Sequence, residues 1–145
     1  MKIALATDHN GVEEKKKIIE FLSKNYEVID MSTINTPTDD YPTFAFKVAE
    51  FVRDNEDSLG ILLCGTGIGM SIAANKVNGI RAAAVSDHFS AKYTRLHNNS
   101  NVLCLGGRVI GEGTAVELAD IFVDTLFEGG RHQRRVDLIT EIENK

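Results

Sequence analysis

The stretch LGILLCGTGIGMSIAANK, residues 59–76, contains the pattern that decides the fold. Its first six residues (59–64) form a continuous apolar run of the length of a buried strand. The glycine-rich GTGIG at 65–69 follows directly and opens MSIAANK (70–76), which we predict to be a helix. A strand that passes into a helix through a glycine turn is typical of a βαβ unit with a parallel sheet.

The same alternation of strand and helix extends outward in both directions. We predict strands at 2–7, 26–31, 59–64, 79–86 and 101–107, and helices at 12–25, 44–54, 70–76, 88–98, 113–127 and 131–144. A single long loop, rich in Thr, Asn, Pro and Asp, covers residues 32–42. The pattern predicts one three-layer, Rossmann-like (flavodoxin-like) α/β domain over residues 1–145, with a five-stranded parallel sheet and helices on both faces.

Composition excludes several classes of protein. The chain has 145 residues, 43% of them hydrophobic, and a net charge of −5, which argues against a nucleic-acid partner. No apolar run approaches the roughly 20 residues of a membrane helix, and MKIALATDHNG at the start reaches polar residues too soon for a signal peptide. The two cysteines, Cys64 and Cys104, form no CxxC pair, so we expect a reducing, cytoplasmic location.

Residues with reactive side chains follow the predicted strands. In open parallel sheets ligands bind beyond the carboxyl ends of the strands. The candidates at those positions are Asp8 and His9, Tyr41, Cys64–Gly69, Ser86–His88 and Gly106–Arg108.

Cys64 stands at the strand-to-helix turn, where unpaired backbone N–H groups can bind an anion and favour a thiolate. The alternative is that Cys64 is a buried strand residue like Cys104 and that the glycines only make a turn. The loop does not match the dinucleotide-binding GxGxxG pattern, because position 70 is Met. A cysteine phosphatase would need arginine at that same position.

Arg131 and Arg135 are four residues apart and share one face of the last predicted helix. That face continues to Leu138 and Ile142, so we expect it to pack inward. Two like charges there would be neutralised by a shared anion such as a phosphate. The alternative is a solvated helix start in which the arginines pair with nearby carboxylates.

Two of the four histidines have supporting context. His97 ends a helix beside polar residues 98–101, and we expect it at the ligand end of the sheet, while His9 follows Asp8 at a strand end. We interpret His88 and His132 as ordinary packed or surface residues. No HxH or HExxH motif is present, and we expect no metal.

Taken together, these motifs resemble those of the type B ribose-5-phosphate isomerases. The matching segments run along the whole chain in the family's order: DHNG, DYP, CGTGIGMSIAANK, GIRAA, HNNSN, GGRVIG and EGGRHQRRV. The wider sugar-phosphate isomerase group includes the two galactose-6-phosphate isomerase subunits. The resemblance implies interconversion of ribose 5-phosphate and ribulose 5-phosphate through an enediolate, without metal or cofactor.

The resemblance also implies residue roles. Cys64 would be the base, Thr66 would help to move a proton between the two oxygens, and the amides of Gly65, Gly67, Ile68 and Gly69 would hold the enediolate. His97 would open the sugar ring, with Asp8 at the anomeric hydroxyl. The phosphate would bind His9, Arg108, Arg131 and Arg135, and sugar hydroxyls would contact Tyr41 and Asn98. Some family members have a glutamate base at the position of Met70, which leaves Cys64 as the only candidate base in this loop.

The resemblance further implies a homodimer or a dimer of dimers with sites shared between subunits. Three alternatives stay open on sequence alone. The first is the same reaction on allose 6-phosphate or galactose 6-phosphate, and the second is a non-catalytic nucleotide-binding module. The third is a Cys/His hydrolase, which would leave the arginines unexplained.

Overall fold

The computed structural model describes all of residues 1–145. It contains five strands and six helices, joined by loops and turns. The strands are β1 (Lys2–Thr7), β2 (Glu27–Asp30), β3 (Leu59–Cys64), β4 (Ala82–Ala84) and β5 (Val102–Gly106). The helices are α1 (Val12–Leu22), α2 (Tyr41–Asp54), α3 (Ile68–Ala74), α4 (His88–Asn98), α5 (Glu112–Asp124) and α6 (Arg131–Ile142). The sheet order is β2-β1-β3-β5-β4 and every pairing is parallel, which confirms the predicted five-stranded sheet.

Alternate residues of the strands belong to two separate apolar layers. Ile3 and Leu5 of β1 point into a layer built with α1 and α5, whose largest member is the fully buried Phe122. Ala4 and Ala6 point the other way, into a layer built with α2 and α3. Since both faces of the sheet are covered, the three central strands are buried from end to end apart from Lys2, and nearly all of their residues are apolar, as is typical of parallel strands.

Two boundaries differ from the sequence prediction for local reasons. β4 is three residues long rather than eight, because Gly79 has a φ of +88° and the Ile80 N–H donates to Val77 O, so the chain is still turning there. α2 begins at Tyr41 rather than at residue 44, because a proline is well accommodated in the first turn of a helix.

The packing face of α6 was predicted wrongly. Leu138 and Ile142 are 46% and 65% exposed, whereas His132 and Val136 are buried. The predicted face, with Leu138 and Ile142, and the buried face, with His132 and Val136, are adjacent on the helix. The spacing of residues does not decide which of the two faces packs inward. The buried face is the one whose His132 ring stacks on His97 of α4, so Arg131 and Arg135 remain at the surface.

Candidate active site

Three loops meet where β1, β3 and β5 end, and we call this region the carboxyl edge. The Gly107 N–H donates to Cys64 O over 2.8 Å, and the Arg108 N–H donates to Gly65 O over 3.0 Å. A Cβ at Gly107 would overlap the carbonyl oxygen of Asn10. Glycine at 107 therefore allows the loop after β5 to approach the loop after β1.

The thiol of Cys64 lies inside the glycine loop. Its Sγ accepts a hydrogen bond of 3.2 Å from the Gly67 N–H, and the residue is 5% exposed. Gly67 has a φ of +81°, a conformation that side chains disfavour, and this turn aims its amide at the sulfur. An N–H at this position stabilises negative charge on Sγ.

Thr66 lies between the thiol and the start of α3. Its Oγ1 accepts a 3.2 Å hydrogen bond from the Ile68 N–H. Thr66 and Ile68 are both exposed, so this part of the loop is open to a ligand.

Asp8 is buried at the end of β1, with its carboxylate fixed by its own loop. Oδ1 accepts from the Asn10 N–H at 2.8 Å, and Oδ2 accepts from Asn10 Nδ2 at 3.3 Å. His9, beside it, is held by Asp39 of the long loop between β2 and α2. The Nδ1 atom of His9 lies 2.7 Å from Oδ1 of Asp39.

Tyr41 reaches the same region from the first turn of α2. A Cβ at Gly69 would lie 2.5 Å from Cε1 of Tyr41, so the ring rests directly on the glycine loop. The carboxyl edge thus brings together most of the predicted site residues, namely Asp8, His9, Tyr41, Cys64, Gly65, Thr66, Gly67, Ile68, Gly69 and Arg108.

His97 and Asn98 do not join this group, and the expectation that His97 lies at the ligand end of the sheet is wrong. α4 leaves the carboxyl edge at His88 and runs back toward the start of β5 at Val102. The nine residue-to-residue steps from His88 to His97 advance roughly 13 Å along a helix axis. The sequence placed His97 correctly at a helix end, but that end faces the amino ends of the strands.

His97 instead belongs to a second group, which we call the α4–α6 cluster: His97, Asn98, Arg131, His132 and Arg135. The imidazoles of His97 and His132 stack with their centroids 4.0 Å apart. Glu128 Oε2 lies 3.7 Å from Nε2 of His97 and 4.0 Å from Nε2 of His132. All five residues line an open cavity of about 380 Å³.

His132 is the residue of this cluster that sequence reasoning missed. It is 7% exposed, and its Nε2 is buried without a hydrogen-bond partner. Burial, with the nearby charges of His97 and Arg131, lowers the pKa of His132, so its ring is neutral at pH 7. Its place directly after Arg131 in the EGGRH segment was the available signal.

The two cysteines have different surroundings. Both are free thiols, but Cys104 lies inside β5 and is fully buried, and burial raises the pKa of its thiol. Cys64 has an amide donor and an open loop beside it. Only Cys64 is placed to react with a ligand.

Two groups of side chains have metal-ligating atoms within 4.8 Å of one another: Asp8 with His9 and Asp39, and His97 with Glu128 and His132. In the first group, hydrogen bonds from Asn10 and His9 already occupy the carboxylates. In the second, the imidazoles are stacked within 14° of parallel, so their lone pairs do not converge on one point. Neither arrangement is typical of a metal site.

No helix has the length and apolar character needed to cross a membrane. Residues 3–139 match the family model described as Ribose/Galactose Isomerase. The chain belongs to this family. The match begins one residue into β1 and ends at Ile139 within α6, so it includes both the carboxyl edge and the α4–α6 cluster.

Members of this isomerase family align with nearly the whole chain. The ribose-5-phosphate isomerase B of Escherichia coli is 46% identical over 99% of this chain and 97% of its own. A crystal structure of ribose-5-phosphate isomerase B from Mycoplasma genitalium with bound ribulose-5-phosphate superposes with a TM-score of 0.95, at 46% identity, covering 99% of this chain and 97% of that one. The corresponding protein of Clostridium thermocellum gives a TM-score of 0.94 at 49% identity, with coverages of 99% and 98%.

Proposed function

We propose that this chain interconverts ribose 5-phosphate and ribulose 5-phosphate as a cofactor-independent isomerase domain spanning residues 1–145. The observation that carries the proposal is the Cys64 thiol, which faces the Gly67 amide inside an open glycine loop of a family isomerase. The ligand in the Mycoplasma genitalium structure, ribulose-5-phosphate, supports the choice of sugar. The two free thiols support a reducing compartment, the cytoplasm.

In the proposed reaction, the Cys64 thiolate removes the proton from C2 of the open-chain aldose. The resulting enediolate carries its negative charge next to the amides of residues 65–69, which stabilise it as it forms. The hydroxyl of Thr66 moves a proton from one oxygen to the other. The thiol then returns its proton to C1, and the ketose results with no net loss of atoms or electrons.

The sugar arrives mainly as a closed ring, which must open first. We propose that His97 protonates the ring oxygen while the Asp8 carboxylate receives the proton of the anomeric hydroxyl. Asp8 suits this task because its own loop fixes its carboxylate. Tyr41 and Asn98 would hold the remaining hydroxyls of the sugar.

The phosphate would bind His9, Arg108, Arg131 and Arg135. Since Arg131, Arg135 and His97 lie in the α4–α6 cluster, one chain does not bring them to its own Cys64. We therefore propose that each site combines the carboxyl edge of one chain with the α4–α6 cluster of another. Two-fold symmetry would create two such sites in a dimer, and a dimer of dimers would contain four.

Exposed apolar side chains support this association. Leu138, Ile139 and Ile142 on α6 are each at least 45% exposed, and Phe89 on α4 is 69% exposed. Contiguous apolar surface on a small protein commonly marks a binding surface for another chain. The same two helices hold the α4–α6 cluster.

The test is to incubate the protein with ribose 5-phosphate in the presence of a metal chelator and to follow the formation of ketose. Allose 6-phosphate and galactose 6-phosphate, assayed in parallel, measure the preference for the sugar. The proposal predicts the highest kcat/KM with ribose 5-phosphate, and full activity under chelation. A larger sugar turned over faster, or activity lost to the chelator, would contradict it.

A further inference from the structure

The carboxylate of Asp39 has four hydrogen-bond contacts, although Asp39 has no role in the proposed reaction. Asp39 lies in the loop between β2 and α2, and its side chain is 11% exposed. Oδ1 accepts from the backbone N–H of His9 at 3.2 Å and faces Nδ1 of His9 at 2.7 Å. Oδ2 accepts from Asn35 Nδ2 at 3.0 Å and from the Thr36 N–H at 3.1 Å.

Because both oxygens are occupied, the carboxylate cannot rotate. Asn35 Nδ2 also donates to Thr7 O over 2.7 Å, which fastens this loop to the end of β1. Burial opposes ionisation of Asp39, but the hydrogen bonds from His9, Asn35 and Thr36 outweigh it and lower the pKa of Asp39. The side chain is therefore a fixed anion at neutral pH.

A fixed carboxylate determines the state of the imidazole beside it. An ionised carboxylate can only accept hydrogen bonds, so Nδ1 of His9 must carry a hydrogen. Nε2 is then the ring atom left for a ligand, and its hydrogen-bond contact within the chain is Asn10 Nδ2 at 3.5 Å. His9 is 40% exposed at this edge, so its Nε2 is accessible.

We propose that Asp39 is a positioning residue for His9: it keeps a hydrogen on Nδ1 and orients the ring so that Nε2, which carries a hydrogen when the phosphate of the substrate is bound, donates to that phosphate. This inference rests on the proposed function, which places His9 at the phosphate. A purely structural role for Asp39 would need only its bonds to Asn35 and Thr36. The pair with Nδ1 goes beyond that need.

The first measurement uses the unaltered protein without substrate. Long-range ¹H–¹⁵N correlation spectra of the histidine rings distinguish a protonated Nδ1 from an unprotonated one. The proposal predicts a protonated Nδ1 at His9 at pH 7.5. An unprotonated Nδ1 would overturn it, whether or not the protein isomerises sugars.

The second measurement is a double-mutant cycle on the binding of ribose 5-phosphate and on its turnover. Asp39→Asn should weaken binding and raise KM by about fivefold or more, with kcat within about twofold. In a His9→Ala background the same substitution should cost almost nothing, because Asp39 acts through His9. An equal cost in both backgrounds would show a structural role and contradict the proposal.

A matched control is available in a second histidine–carboxylate pair. His88 Nε2 lies 2.8 Å from Glu117 Oε2 on the surface, and neither residue has a role in the proposed site. Glu117→Gln removes a carboxylate of the same kind and should leave binding and turnover unchanged. If no isomerisation is seen at all, the proposed function fails, while the ring spectra and the binding of ribose 5-phosphate still decide the role of Asp39.

Discussion

The carboxyl edge and the α4–α6 cluster are built from different kinds of contact. At the carboxyl edge, main-chain hydrogen bonds such as Gly107 N–H to Cys64 O hold three loops together, and glycines permit the close approach. In the α4–α6 cluster, side chains on two helices meet through a stacked histidine pair, and Arg131 and Arg135 make no ion pair within 4.0 Å. The first region is preorganised by one chain. The second presents two arginines with no carboxylate partner, which is the state expected of a surface that completes a site elsewhere.

The strongest test of the carboxyl edge is Cys64→Ala. A general base contributes roughly 10²- to 10⁴-fold, so isomerisation should fall by at least about a hundredfold while the fold is retained. Cys104→Ala is the matched control, since that thiol is buried and fully protonated. The ketose formed per unit time measures both. If Cys64→Ala kept more than about a tenth of the original turnover, a 1.4 kcal/mol effect, the base would be another group.

His97→Ala tests whether the α4–α6 cluster acts on the sugar ring rather than on the enediolate. Isomerisation of ribose 5-phosphate should fall by at least about tenfold, because ring opening loses its proton donor. Exchange of solvent deuterium into C1 of ribulose 5-phosphate needs no ring and should stay within about threefold. Mass spectrometry of the recovered ketose measures the exchange. A parallel loss of exchange and isomerisation would place His97 in the proton transfer itself.

Gly107→Ala should damage the carboxyl edge through packing alone. Its new methyl group would overlap the Asn10 carbonyl, and forced overpacking costs about 1–3 kcal/mol. The melting temperature and the urea midpoint should both fall. Gly113→Ala, in the open first turn of α5, has nothing within 4 Å of its Cβ and should stabilise slightly. Equal behaviour of the two variants would mean that the loops at this edge are not closely packed.

The smallest predicted effect is the pH dependence contributed by His132. Its pKa is lowered in the folded chain, so the unfolded chain binds a proton more readily, and stability is lost as the pH falls through about 6.5 and below. His132→Gln should flatten this part of the stability curve between pH 7 and pH 5.5. Urea unfolding at both pH values checks it. An unchanged slope would show that the ring is not held neutral by its surroundings.

Much of the fold was predictable because its signals are local. Apolar runs, helical spacing and the glycine turn after Cys64 each depend on neighbouring residues, and they located all five strands and all six helices. The carboxyl edge followed from the topology, since the ends of parallel strands share one edge. Asp8, His9, Cys64 and Arg108 lie at that edge, as the order of strands and polar residues along the chain predicts.

The remaining features depend on three-dimensional packing, which the spacing of apolar residues along the sequence does not determine. The face on which α6 packs is decided by the stacking of His132 on His97, and no spacing rule selects it. The role of Asp39 depends on how a long loop folds back onto His9. The direction of α4, which carries His97 away from Cys64, follows from counting residues along the helix rather than from the polar residues around it.

The central claim is that each site joins the carboxyl edge of one chain to the α4–α6 cluster of another. Its most direct test is complementation between Cys64→Ala and the double variant Arg131→Ala/Arg135→Ala, each inactive or nearly so alone. Coexpressed with two different tags and purified as heterodimers, they should regain one complete site per dimer, and up to about half of the original activity. Heterodimers no more active than the separate variants would show that each chain builds its own site and would contradict the account.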